Sequence, residues 1–226
     1  MILTNFSDLT FVDYATQTGI TLLIVTLSTI FAYLIGIPLG ILLNITDKNG
    51  LWKCKPVNVI FGILINILRS APFIILLVTI LPYIRKMIGT GTGNAPFIIA
   101  LVIAAVPFVA RMVESSLKEM DYGVIEASKA MGASKMRIIF KVLLPEAKIS
   151  LIVGATISFS TILGYTAMAG TIGAEGLGNI AYMYGYLRNY TDAKIISLVL
   201  LIVIVQVFQE IGILLAKKLD HRRKGE

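Results

Sequence analysis

Apolar residues fall in five long runs along this chain, at about 18–43, 57–81, 96–113, 149–169 and 195–216, and polar residues collect between them. A helix rises ~1.5 Å per residue, so ~20 apolar residues cross a hydrocarbon core of ~30 Å. The pattern predicts an all-α polytopic membrane protein with five transmembrane helices. The longest polar interruption covers 121–145, DYGVIEASKAMGASKMRIIFKVLLP. Within it Asp121 is placed to cap a short helix, and Val124, Ile125, Ser128 and Met131 stand at i, i+1, i+4 and i+7 on one face. Gly132 is expected to stop that helix, because glycine accepts the left-handed conformation that helix ends often need. Ser134 can cap a second helix over 135–143, with Pro145 ending it or starting the next element. Two short helices hinged at a glycine make an L-shaped projection. Loops of this kind lie on the lipid surface in many membrane proteins, but the apolar face here is modest, which favours a docking piece.

The runs themselves carry further signals. Residues 1–17 read as a short interfacial segment. Gly36, Pro38 and Gly40 stand near the inner end of the first run, where small residues permit close helix contacts. The second run holds Asn66, Arg69 and Pro72; a charge at that depth either faces a protein interior or watery cavity, or snorkels to the headgroups. The segment 82–95 contains GTGTGN, without the Lys-Ser/Thr pair of a phosphate loop, and reads as a flexible connection. Arg111 and Glu114, three apart, can pair at the end of the third run, a contact worth little alone. The fourth run is rich in small and hydroxylated residues, among them Gly154, Thr156, Ser158 and Ser160, suited to tight packing or to lining a polar path. Near its end Met168 is either core filler or, paired between two subunits, a reversible plug. Tyrosines from Tyr182 to Tyr190 fit an aromatic belt or a face for an external partner. Gln206, Gln209 and Glu210 in the fifth run call for partners across helices, a cation in the case of Glu210.

Composition narrows the class. At 226 residues, with 57% hydrophobic and 15% charged residues and a mean hydropathy of +0.86, a soluble globular domain is excluded. One membrane domain over 1–226 is expected to account for the length. The single cysteine, Cys54, rules out an internal disulfide. A net charge of +7 could signal nucleic acid, but its distribution argues for membrane orientation instead. Of the 20 Lys and Arg residues, Arg85, Lys86, Arg188 and Lys194 fall in one set of loops and Arg69 inside the second run. All the others lie in the alternate loops, at the matching end of the third run (Arg111) and in the tail. The positive-inside rule then places the N-terminus outside and the C-terminus in the cytoplasm. No Lys or Arg precedes Lys48, so no ordinary cleavable signal peptide is expected.

In the 121–145 loop, Glu126-Ala127-Ser128 is followed after three residues by Gly132, and after nine more by Val142, Leu143 and Leu144-Pro145. This spacing resembles the EAA motif of ABC importer permeases, with Ser128 and Val142 as mild departures. RSAPFIILL (69–77), PFVARMVE (107–114) and GYTAMAGTIGAEGLGNIAYMYGY (164–186) sharpen the likeness toward the methionine importer permeases, and it covers nearly the whole chain. The resemblance implies a small type I ABC importer permease in the bacterial inner membrane. It implies a homodimer over two cytoplasmic ATPase subunits, which bind the ATP and Mg, and an external substrate-binding lipoprotein. This chain would bind no cofactor and no nucleic acid and catalyse nothing itself. The resemblance assigns Glu126, Ala127, Ser128, Ala130, Met131, Gly132 and Ala133 to a groove in the ATPase, and matches Met168 to the methionine that narrows the family's pathway. Arg69, Ser160 and Tyr165 remain candidates for pathway or structure.

Other classes fit less well. An intramembrane enzyme needs convergent nucleophiles, acids or metal ligands; the only histidine, His221, is in the tail, and Glu210 stands alone. An ion-driven secondary transporter would show paired intramembrane charges or internal repeats, and five spans do not halve. Within the ABC class, another amino acid or a methionine-related compound remains an alternative substrate.

Overall fold

The computed structural model describes residues 7–219. The chain enters α1 (Phe11–Thr46), 36 residues and so roughly 54 Å long. The Asp13 backbone N–H donates to Thr10 Oγ1, and the Asp13 carboxylate accepts from the Thr10 N–H at 2.8 Å, a reciprocal capping box. Residues 11–17, expected as a separate interfacial segment, are therefore the first turns of this helix. Thr18, Thr21 and Thr29 each donate their hydroxyl to the carbonyl four residues back, so they add no unsatisfied group to an apolar helix.

The second apolar run is not one straight helix. It forms α2 (Lys55–Ser70) and α3 (Phe73–Ile88), bent by 108° where they meet. Pro72 is the cause: its ring pushes the preceding residue out of the helical region, and Ala71 is extended at ψ 126°. The expected flexible segment from residue 82 is correspondingly shorter. Pro82 lies inside α3, which runs on to a left-handed Gly89.

Next comes α4 (Asn94–Lys118), longer at its C-terminal end than the apolar run implied. The polar interruption follows as α5 (Tyr122–Ala130), α6 (Lys135–Ile138), a π-helical stretch Ile139–Leu143 and α7 (Leu144–Glu146). Pro145 stands in the first turn of α7, so it starts the next element rather than ending the helical path. The Leu144 N–H reaches back to Ile139 O, and this widened turn lies where proline would otherwise break the ladder. Then come α8 (Lys148–Thr166), a 3₁₀ turn Ala169–Ile172, α9 (Leu177–Asn179) with a π-helical continuation Ile180–Leu187, and α10 (Thr191–Leu219). The segment after Met168 is thus largely helical. Among the described residues, four helices (α1, α4, α8 and α10) are long and apolar enough to cross a membrane, or five if the bent pair α2–α3 is one span.

Helix α4 is the centre of the fold, packed by α1, α2, α3 and α8. Phe97, Ala100, Leu101, Val109, Ala110 and Val113 are fully buried along it. Glycine makes its contact with α1 possible. A Cβ on Gly36 would lie 2.6 Å from Val109 Cγ1, and one on Gly40 would lie 2.6 Å from the Ala110 carbonyl oxygen. Lipid is as apolar as a side chain, so such close backbone approach, rather than escape from water, holds these helices together. The same device recurs where Gly154 meets Met112 and Gly212 meets Thr156. Helix α10 is the outermost: 11% of its apolar window is buried, against 56% for α4, which leaves most of its surface for lipid or another chain.

Candidate functional site

The projecting segment is built by caps. Asp121 accepts from the Gly123 N–H at 2.8 Å and opens α5. At the other end Gly132 takes φ +76°, its N–H bonds Lys129 O, and the Ala133 N–H reaches Ser128 O at 3.1 Å. This double closure satisfies the last carbonyls of α5 and turns the chain sharply. Ser134 then accepts from the Arg137 N–H and opens α6. Ile138, Ile139 and Leu143 are buried and fasten the projection to the helix bundle.

The face that α5 presents differs from the face expected. Ile125 is half-buried and Ser128 buried, while Val124 and Met131 point outward, Met131 being 80% exposed. The outward apolar face is therefore Val124, Ala127 and Met131, with Glu126, Ala130 and Gly132 also exposed and Ala133 half-buried. Met136 and Phe140 extend it beyond the hinge. Ser128 turns its hydroxyl to Val124 O at 2.8 Å, so a serine fits the inward position without an unpaired group. No atom lies within 4 Å of a Cβ built on Gly132. A side chain there would meet open space, and its cost would come from the left-handed backbone, not from a clash in the hinge.

Behind the projection lies a charge network that the sequence showed only in part. Glu114, buried on α4, accepts from Arg111 Nη1 at 2.6 Å and from Lys118 Nζ at 2.8 Å. Lys118 also reaches Asp47 Oδ2 at 2.9 Å, just past the end of α1. Arg111 donates to Gly62 O at 3.0 Å and twice to Asn66 Oδ1. One cluster thus ties α1, α2 and α4 together at one end of the bundle. The Lys118 hydrogen bond holds the Asp47 carboxyl below the usual carboxylate range. The Arg111–Glu114 pair was visible along one helix; Lys118, Asp47 and Asn66 join only through the fold. Nearby, Lys135 lies over the Trp52 ring, 5.5 Å from its centroid, and so fastens α6 to the α1–α2 connection.

The remaining candidates are dispersed along α2, α8 and the residues after it. Arg69 is exposed in the last turn of α2, beside the bend, where a cation complements the helix terminus. Ser160 lines a cleft of about 250 Å³ between α8 and α10 with Gly164, Leu201, Val205 and Gln206, and accepts from Gln209 Nε2 at 3.4 Å. Tyr165 stacks on Phe73, ring centroids 4.6 Å apart, so it joins α8 to α3. Met168 is half-buried at the turn that follows α8. The 19 residues of α8 put it ~28 Å from the projecting segment. Glu210 has no cation within ion-pair distance among the described residues, contrary to expectation, and His221 lies outside them. No group of three or more metal-binding side chains occurs among the described residues.

The profile of the binding-protein-dependent transport system inner membrane components matches residues 36–224. The chain belongs to that family. This permease is 43% identical over 207 residues to a probable D-methionine transport system permease protein of Vibrio cholerae, covering 92% of each chain. It is 45% identical over 181 residues to the methionine import system permease protein of Bacillus subtilis, covering 80% of this chain and 82% of the relative. Among solved structures, a chain of the MetNI methionine ABC transporter in an inward-facing conformation superposes with a TM-score of 0.92 at 39% identity. That match covers 96% of this permease and all of the other chain. The inner-membrane description of the family agrees with the apolar helices of the fold.

Proposed function

We propose that this permease is the membrane-spanning subunit of an ATP-driven importer for methionine, and that it works by alternating access. The observation that carries this reading is the match along 96% of the chain to a MetNI methionine transporter chain. Relatives at 43% and 45% identity are named for methionine, which favours that substrate over other amino acids.

In this reading two copies of the permease stand over two ATPase subunits, which bind ATP and Mg, and an external lipoprotein delivers the substrate. The N-terminus lies outside and the C-terminus in the cytoplasm, as the distribution of cations argues. Glu126, Ala127, Ser128, Ala130, Met131, Gly132 and Ala133 form the docking element. Its double helix closure and buried Ile138, Ile139 and Leu143 let it act as a stiff lever. When ATP draws the ATPases together, the levers follow and the spans reopen toward the outside; hydrolysis resets them. Met168 narrows the pathway, and its unbranched thioether can yield to a passing side chain of its own kind. Ser160 borders the pathway side of α8, whereas Tyr165 and Arg69 support the bent α2–α3 pair.

Uptake of labelled methionine into liposomes holding the complete transporter and its binding protein tests this. ATP-dependent uptake that unlabelled L- and D-methionine compete away is expected. ATP-dependent uptake of a different amino acid, with methionine ignored, would overturn the substrate.

A further inference from the structure

Helix α9 and its continuation follow Gly176, the cap position, which has no side chain with which to cap them. The first N–H groups of a helix have no partner inside it, and buried ones must find one elsewhere. Here α1 supplies it. Gln17 Oε1 accepts the Gly176 N–H at 2.5 Å, and Thr21 Oγ1, one turn along the same face, accepts the fully buried Leu177 N–H at 2.9 Å. Thr21 donates its own proton to Gln17 O at 2.8 Å, which aims a lone pair at Leu177. Gly176 sits at φ +117°, and a Cβ there would lie 2.8 Å from Thr21 Oγ1, so glycine is needed for both the conformation and the approach.

A second tether comes from α4. Asn94 Oδ1 accepts the Glu175 N–H at 2.7 Å, Asn94 Nδ2 donates to Glu175 Oε2 at 3.3 Å, and the Gly93 N–H donates to Ile172 O at 3.1 Å. Between these anchors the turn is tight: the Ala174 N–H bonds Ala169 O, and Ala169, Ala174 and Leu177 are buried. The turn begins directly after Met168, whose carbonyl accepts from Thr171 Oγ1 at 2.7 Å.

We propose that Gln17, Thr21 and Asn94 are positioning residues that fix the turn after Met168 against α1 and α4, and thereby set the width of the pathway at that methionine. This rests on the reading of Met168 as the narrowing of the pathway. The clamp belongs to the helices at the core of the fold, so the constriction does not simply follow the end of α8.

The test is efflux of labelled methionine, without ATP, from liposomes holding the complete transporter. Thr21→Val keeps the shape and removes the acceptor; Thr21→Ser keeps the acceptor. Thr29→Val, which loses only an intrahelical bond to Val25, is the control for stability. Thr21→Val and Asn94→Leu are expected to raise the passive leak about fivefold or more, with Thr21→Ser and Thr29→Val at the wild-type rate. Met168→Ala is measured alongside. A leak from Met168→Ala with none from Thr21→Val or Asn94→Leu would overturn the clamp and leave the constriction standing. No leak from Met168→Ala would remove the constriction, and the clamp's role with it.

Discussion

Gly132 shows what a single residue contributes and how its substitutions should rank. Its left-handed backbone is what allows the Ala133 N–H to close on Ser128 O. Alanine there pays about 1–2 kcal/mol for the left-handed conformation, and a β-branched residue pays more. Aspartate is among the residues that tolerate it, so Gly132→Asp would act through its charge. We therefore expect Gly132→Val to impair coupling more than Gly132→Ala, read as substrate moved per ATP hydrolysed; equal values would contradict the hinge. The caps at Asp121 and Ser134 and the stop at Gly132 were legible because each follows from local chemistry. The direction in which α5 faces was not, since Ser128 is inward only because its hydroxyl is satisfied within the helix. At the other end of the network, removing Glu114 would leave Arg111 and Lys118 facing each other without a carboxylate. Glu114→Ala should lower the thermal unfolding midpoint on the order of 10 °C, whereas Glu210→Ala, at an exposed position, should barely move it. Asp47 adds a pH dependence of known sign. Its carboxyl titrates lower in the folded protein than in the unfolded chain. Its stabilisation is therefore complete above the ordinary carboxylate pKa of about 3.9 and is lost as pH falls through the lower folded value. Asp47→Asn should flatten that acid limb of a stability–pH curve.

Among the elements, the α2–α3 pair departs furthest from its sequence pattern. A hydropathy run cannot distinguish a straight span from two helices folded at a proline, because direction leaves no trace in hydropathy. Pro72 was visible; the 108° bend depends on what α3 packs against, including Phe73 against Tyr165 and Phe97. Spin labels at the exposed positions Ile60 and Tyr83 would stand about 34 Å apart on one straight helix. The bent pair should place them well below that, and a separation near the straight value would contradict it. The α1–α4 contact is the opposite case. Gly36 and Gly40, four apart in an apolar run, announced a close approach, and Val109, Ala110 and Val113 receive it. Gly40→Leu should prevent that packing and lower the yield of folded permease, while Gly19→Leu, in open space, should not.

For the whole molecule, the order of the apolar helices could be read from hydropathy because each must satisfy its backbone internally in lipid. The trans-cap from Gln17 and Thr21 and the charge cluster at Asp47 could not, since both join residues far apart in sequence. In the proposed mechanism the projecting segment 121–145 transmits the ATPase cycle to the pathway. The most direct test measures methionine uptake and ATP hydrolysis together in liposomes holding the complete transporter, wild type against Gly132→Val. The variant is expected to assemble with its ATPase and hydrolyse ATP, yet to move little methionine. Wild-type uptake per ATP in Gly132→Val would contradict it.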